Sequence, residues 1–247
     1  MEKEEYQRVY RLEKTHWWYA GMRRVSAAFL NSHRGDKDWR ILDAGCGTGA
    51  GLDFLATYGQ SYGIDLAREA IGFCLLQGKD RVVQASVDSL PFPDASFNLV
   101  TSFDVIYHRA VEDDSSALKE FYRVLNDGGI LLLRVPAFDF LRGRHDAVVH
   151  TRHRYRSGEL VAKLEAAGFT VKRVSYANCL LFPLAFAKRL LERGDTPVSD
   201  LRPTRRSLNA FLSGVLALEA SWLKRFSLPF GLSLLALAQK PPASQRL

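Results

Sequence analysis

The sequence is poor in sulfur, with three cysteines (Cys46, Cys74 and Cys179) and two methionines in 247 residues. An odd cysteine count without a CxxC pair argues against a disulfide framework or a cysteine-built zinc site, and favours a reducing, cytoplasmic setting. Long apolar runs are missing too. None approaches the ~20 residues needed to span a bilayer. The opening stretch, MEKEEYQRVYRLEK, is charged throughout and lacks the apolar core of a secretory leader. Repeats and low-complexity tracts are absent apart from a short polar tail, PPASQRL. What remains is an ordinary globular composition. Hydrophobic residues make up 47% of the chain, enough for a real core, and the length fits one large domain or a domain with a substantial insertion. Lys and Arg outnumber Asp and Glu by 34 to 27, a formal charge of +7. That surplus suits nucleic acid, an anionic membrane surface, an acidic substrate or no specific partner, and so decides little.

Residues 3–13 have helical character and are followed by the aromatic cluster His16-Trp17-Trp18-Tyr19 and a second helix to about residue 30. Strand patterns at 40–43, 61–65, 82–85, 97–103, 129–135 and 170–176 then alternate with helical ones at 51–58, 67–76, 113–124 and 157–167. Such alternation predicts an α/β fold, a Rossmann-like, mostly parallel seven-stranded sheet with helices on both faces. Its ligand should lie beyond the carboxyl ends of the strands, at the switch in strand order. From 177 to 229 the chain becomes apolar and helical. Leu208, Phe211, Leu212, Val215, Leu218 and Trp222 recur there at helical spacing, with core packing the expected role. A last strand at 233–238 follows the turn Pro229-Phe230-Gly231. The expected organisation is a helical lid over 1–37, a nucleotide-binding domain over 38–176 and 230–240, and a helical insertion over 177–229 capping the substrate side.

The stretch RILDAGCGTGAG, Arg40 to Gly51, is an apolar strand running into a glycine-rich turn. Glycines there allow a nucleotide to approach the backbone at a helix N-terminus. Gly45, Gly47 and Ala50 satisfy the dinucleotide pattern of NAD(P)-dependent oxidoreductases, whereas Gly45, Gly47 and Gly49 give G-x-G-x-G. Asp65 can hold ribose hydroxyls in either reading. Asp43 favours one of them. At the mouth of the turn a carboxylate would repel a diphosphate, but it suits a ligand carrying an ammonium and a sulfonium, S-adenosylmethionine.

The motifs LDAGCGTG, GID, LPFPDASFNLV, VIYH and ALKEFYRVLNDGGILLLRVP occur in that order. Together they resemble the class I S-adenosylmethionine-dependent methyltransferases over roughly residues 38–136. The closest likeness is to the type-11-like small-molecule group that includes quinone-biosynthesis enzymes. The resemblance implies that Asp43, Ala44, Gly45, Cys46, Gly47 and Gly49 wrap the methionine part of the cofactor. It implies that Asp65 holds ribose, that Leu66 packs near adenine, and that Ser86 and Val87 contact adenine. Ser86 stands where the family usually has an aspartate, so Asp88 is a candidate substitute. Asn98 and Asn126-Asp127 also depart from the usual motif residues without removing a chemically necessary group.

Methyl transfer from a sulfonium requires an aligned nucleophile and a place for its proton. The segment after the fourth strand supplies Phe103, Asp104, Tyr107 and His108, with His108 the candidate base and Asp104 shaping the pocket. A second segment, HDAVVHTRHRYR, gathers His145, His150, Tyr155 and several arginines, among them Arg142, Arg144, Arg152, Arg154 and Arg156. Its spacing matches no zinc pattern, so no metal is expected, and the arginines suit an anionic substrate or a solvated loop. Trp18 and Tyr19 complete the expected substrate wall. The insertion mixes apolar residues with Lys188, Arg189 and Arg193, which leaves a hydrophobic tunnel, peripheral membrane contact or a dimer interface open. The overall expectation is methyl transfer to a small-molecule acceptor, with lipid- and sugar-linked molecules as candidates, by a monomer or homodimer with no specific nucleic-acid partner. The rivals are a nicotinamide oxidoreductase and a non-catalytic binding module with the same fold.

Overall fold

Apolar runs at 129–135 and 234–238 are buried on both sides, as expected of strands covered by helices on each face. The computed structural model describes residues 3–33, 39–191 and 198–245. Its strands are β1 (Trp39–Ala44), β2 (Gly59–Asp65), β3 (Val82–Gln84), β4 (Phe97–Phe103), β5 (Leu125–Pro136), β6 (Thr170–Ala177) and β7 (Ser233–Gln239). They form one sheet in the order β3-β2-β1-β4-β5-β7-β6. β1 to β5 pair in parallel, and β7 runs antiparallel to both β5 and β6. This is the Rossmann-like, mostly parallel seven-stranded sheet with helices on both faces that the alternation predicts. The strand order turns back between β1 and β4, which places the switch point beside Asp43.

The helices are α1 (Lys3–Leu12), α2 (Trp17–Leu30), α3 (Ala50–Leu55), α4 (Arg68–Leu76), α5 (Asp114–Val124), α6 (Arg144–Val148), α7 (Ser157–Ala166), α8 (Phe182–Leu191) and α9 (Arg206–Trp222). α5 begins cleanly because Asp113 accepts the amides of Ser115 and Ser116. One core lies under α5 and α7, from Leu42 and Phe97 to Phe121, Leu160 and Leu164. The opposite core joins Met22, Val25 and Phe29 of α2 to Ile41, Leu99 and Leu132 of the sheet and to Ala220 of α9. α2 and α9 approach closely at Gly21, where an added Cβ would lie 2.2 Å from Leu216 Cδ1.

Several local expectations need correction. β5 starts at Leu125, because that buried side chain already pairs with Phe97. α6 has too few residues to show a period. It is held by the Asp146 carboxylate, which accepts the Gly143 amide at 2.8 Å. The periodicity of α9 identifies a helix but not its packed face. Leu216, Glu219 and Ala220 are the buried residues, with Leu223 buried just past the helix, whereas Leu208, Phe211, Leu218 and Trp222 are exposed. No residue of α8 is buried. Arg193 lies outside the described residues. No helix among the described residues is long and apolar enough to cross a membrane.

Candidate active site

β1 carries Asp43 to the switch point, and the following turn bends through Gly45 (φ +95°) and Gly47 (φ +55°). Both angles are strained for any residue with a Cβ. At Gly45 a Cβ would also lie 2.1 Å from Val105 Cγ2, while at Gly47 it would point into open space. That space belongs to a cavity of about 910 Å³ walled by the ends of β1, β2 and β4, by α1 and α2, and by α8. Asp65, ending β2, accepts the amides of Gly47 at 3.0 Å and Ala67 at 2.9 Å, so it fixes the turn. Cys46, Leu66, Ser86, Val87 and Phe103 also line the cavity. The Ser86 hydroxyl lies 3.4 Å from Asp88 Oδ2, and Asp88 Oδ1 is buried without a partner among the described residues.

The carboxylates at this end are unusually dry. Asp43 is 3% exposed and accepts the Thr101 hydroxyl at 2.7 Å. Burial pushes its pKa from 3.8 to about 6, against the lowering effect of Thr101 and Arg134. Glu13, from the turn after α1, is also buried and raised by desolvation, and its Oε1 meets no partner among the described residues. Both line the same cavity. Two dehydrated carboxyls around an open glycine turn fit a cation and would oppose a diphosphate. The chemistry of these side chains therefore fits S-adenosylmethionine.

The other end of the cavity carries Asp104, Tyr107, His108, His145, His150, Trp18 and Tyr19. Asp104 sits at φ +60°, and its Oδ2 accepts Arg134 Nη2 at 2.6 Å and Nε at 2.8 Å, so its carboxylate is committed to that ion pair. His108 stacks on His150 with ring centroids 5.5 Å apart. Burial, with His150 and Arg109 adding to it, lowers the His108 pKa to about 4, so the ring is neutral at pH 7. The Ala110 amide donates to its Nδ1 at 3.0 Å, which places the proton of the neutral ring on Nε2. His108 therefore presents a donor to the cavity. This argues against the base role expected for it.

Other expected residues lie elsewhere. Tyr155 is fully buried and donates to Asp114 Oδ2 at 2.6 Å, and so serves the core. Arg152 donates to the Glu112 carbonyl, and Arg154 forks onto Asp146 at 2.9 and 3.0 Å. Arg142 donates to the Thr151 and Arg152 carbonyls. Arg142 and Arg154 tie down their own loop, and Arg152 ties that loop to Glu112 ahead of α5. Of the substrate-binding residues expected from the sequence, Arg152 is the one outside the cavity lining. Ala44 and Gly49 also stand behind the lining. Ala44 is in the core, and Gly49 starts α3 against Cys74. No group of three or more His, Cys, Asp or Glu that could hold a metal occurs among the described residues.

Glu13 and Asn178 carry no signal in the sequence that marks them as site residues. Asn178, after β6, is fully buried at φ +62° and lines the cavity, and neither polar atom of its carboxamide has a partner among the described residues. Its backbone amide donates to Glu219 of α9, which also accepts the amides of Cys179 at 2.8 Å and Leu180 at 3.2 Å. A non-glycine residue held at positive φ with an unpaired amide was a signal only the fold could supply.

Comparison with known proteins agrees with this geometry. Residues 42–133 match the model of a methyltransferase domain family. A probable S-adenosylmethionine-dependent methyltransferase of Mycolicibacterium smegmatis is 34% identical over 145 residues, 53% of this chain and 52% of that protein. A ubiquinone/menaquinone biosynthesis C-methyltransferase of Cronobacter sakazakii is 35% identical over 141 residues, 50% of this chain and 54% of its own. The chain spans about half the length of the curated relatives it matches. A solved S-adenosylmethionine-dependent methyltransferase of Thermotoga maritima shares the fold, with a TM-score of 0.60 at 18% identity over 96% of this chain and 95% of that one. Residues 42–133 thus resemble a methyltransferase domain, and the chain as a whole shares the fold of solved S-adenosylmethionine-dependent methyltransferases.

Proposed function

We propose that the protein transfers a methyl group from S-adenosylmethionine to a small-molecule acceptor, lipid- or sugar-linked. The observation that carries this reading is the pair of buried carboxyls, Asp43 and Glu13, in the lining of the cavity that Gly45 and Gly47 also line. When bound, the cofactor supplies a methyl group already activated on a sulfonium. Asp43 and Glu13 would stabilise its cationic end and recover part of their own dehydration cost. Asp65 would accept ribose hydroxyls through the lone pairs its amide partners leave. Leu66, Ser86 and Val87 would hold the adenine, with Asp88 behind them.

The acceptor would enter from the side of Trp18, Tyr19, Tyr107 and His145. Asn178 offers one donor pair and one acceptor there, which suits a hydroxyl or carbonyl group on the substrate. His150, stacked against His108, would take the proton of an acceptor hydroxyl, and His108 Nε2–H would donate to the oxygen that loses it.

Calorimetric titration tests the reading. S-Adenosylmethionine should bind, and Asp65→Ala should weaken it by about tenfold or more, the ~1.4 kcal/mol or more of a hydrogen bond to a charged group. Binding of NADH in place of S-adenosylmethionine would refute the proposal. Transfer of a labelled methyl group into lipid- and sugar-linked acceptors would then sort the two acceptor classes.

A further inference from the structure

Of the sixteen exposed large apolar side chains among the described residues, eleven fall between 180 and 230, within or beside α8 and α9. On α9 they form a stripe. Leu208, Phe211, Leu218 and Trp222 are spaced by three, seven and four residues, so they share one side of the 17-residue helix. Trp222 is 55% exposed, Phe211 65% and Leu218 70%. The packed side of the same helix is used by Leu216 and Ala220, well round the helix from Phe211, Leu218 and Trp222. The packed face and the exposed stripe are thus distinct, and the stripe is not the margin of a core.

Charge around the stripe has one sign. Arg202, Arg205, Arg206, Lys224 and Arg225 are all exposed, and the one acid between 201 and 231, Glu219, is buried. Arg205 precedes Leu208 by three positions and Arg225 follows Trp222 by three, so each end of the stripe continues into a guanidinium. An apolar, aromatic-bearing helical face between cations, with no exposed acid, is complementary to an anionic bilayer surface. A second copy of this chain would instead bring five like charges together around the same contact.

We propose that α9 docks the protein in the plane of an anionic lipid bilayer, with its stripe in the headgroup layer. The cavity lining includes Leu212 of α9, Leu184 and Ala185 of α8, and Leu181 just before α8, so both helices that carry the exposed apolar side chains also wall the cavity. A lipid-borne acceptor would pass from the bilayer to the site without crossing water. That last step rests on the proposed methyl transfer. The docking does not.

Cosedimentation of the full chain with vesicles tests the docking. Mixed phosphatidylglycerol–phosphatidylcholine vesicles should bind it at least about tenfold more tightly than phosphatidylcholine vesicles, and ~1 M salt should weaken the binding. Phe211→Ser, Leu218→Ser and Trp222→Ser combined should lose at least about tenfold in vesicle affinity, with circular dichroism and S-adenosylmethionine binding unchanged, since none of the three lines the cavity. Arg205→Glu with Arg225→Glu should remove the preference for anionic lipid. Equal or absent binding to the two vesicle types would overturn the proposal. So would a dimer, seen by light scattering, that the triple variant dissociates. Vesicle binding without S-adenosylmethionine binding would uphold the docking and sink the methyltransferase reading.

Discussion

Replacing Asp43 with asparagine should make the ligand-free protein more stable and the cofactor site weaker. The carboxyl is 3% exposed, and its pKa stands at about 6 against 3.8 for an ordinary aspartate. At ~1.36 kcal/mol per pKa step, that difference amounts to ~3 kcal/mol at pH 7. The native state holds the proton to a higher pH than the unfolded state does. This group's contribution is therefore intact below about pH 4 and is lost as pH rises through about 6. Asparagine removes the charge and keeps an oxygen for the Thr101 hydroxyl, so ligand-free D43N should gain ~1–3 kcal/mol at pH 7 in urea denaturation. A bound cation changes the sign of the effect. It favours the ionised carboxyl, whose ionised fraction in the free protein falls from about 10/11 at pH 7 to about 1/11 at pH 5. Wild-type affinity for S-adenosylmethionine should thus drop about tenfold over that interval, and D43N should bind more weakly at pH 7 with this pH dependence removed. A destabilised D43N, or one that keeps the tenfold dependence, would refute the reasoning.

Other predictions follow from single contacts. Gly45→Ala meets Val105 Cγ2 at 2.1 Å on a backbone at φ +95°, and should abolish detectable cofactor binding in calorimetry while costing the fold ~1–3 kcal/mol. Glu219→Ala removes the acceptor for the amides of residues 178–180 and should cost ~1–3 kcal/mol in urea denaturation, with faster hydrogen exchange at those amides. His108 should titrate near pH 4 and carry its neutral proton on Nε2 in nitrogen NMR; titration near 6.5 or a proton on Nδ1 would restore it as a candidate base. Gly21→Ala should destabilise the protein despite better helix propensity, because the crowding against Leu216 at ~1–3 kcal/mol outweighs the ~1 kcal/mol gained in the helix.

Element order and type were legible in the sequence because they depend on local periodicity. A buried strand such as β7 and an amphipathic helix such as α5 show their patterns within a dozen residues. Asp43, Gly45, Gly47 and Asp65 were legible for a related reason. The turn after a strand has few solutions, and its glycines and flanking carboxylates must sit at fixed offsets. Periodicity could not choose between the two apolar faces of α9, since that depends on where α2 lies. Nor could it show how the arginines of the 142–156 loop are used, because the carbonyls and carboxylates that occupy them depend on how the loop folds. Glu13 and Asn178 reach the Gly45–Gly47 cavity from segments far apart in the chain. Their unpaired polar atoms have meaning only once the surrounding burial is known, because an amide or carboxyl without a partner is costly in a dry cavity and ordinary in water.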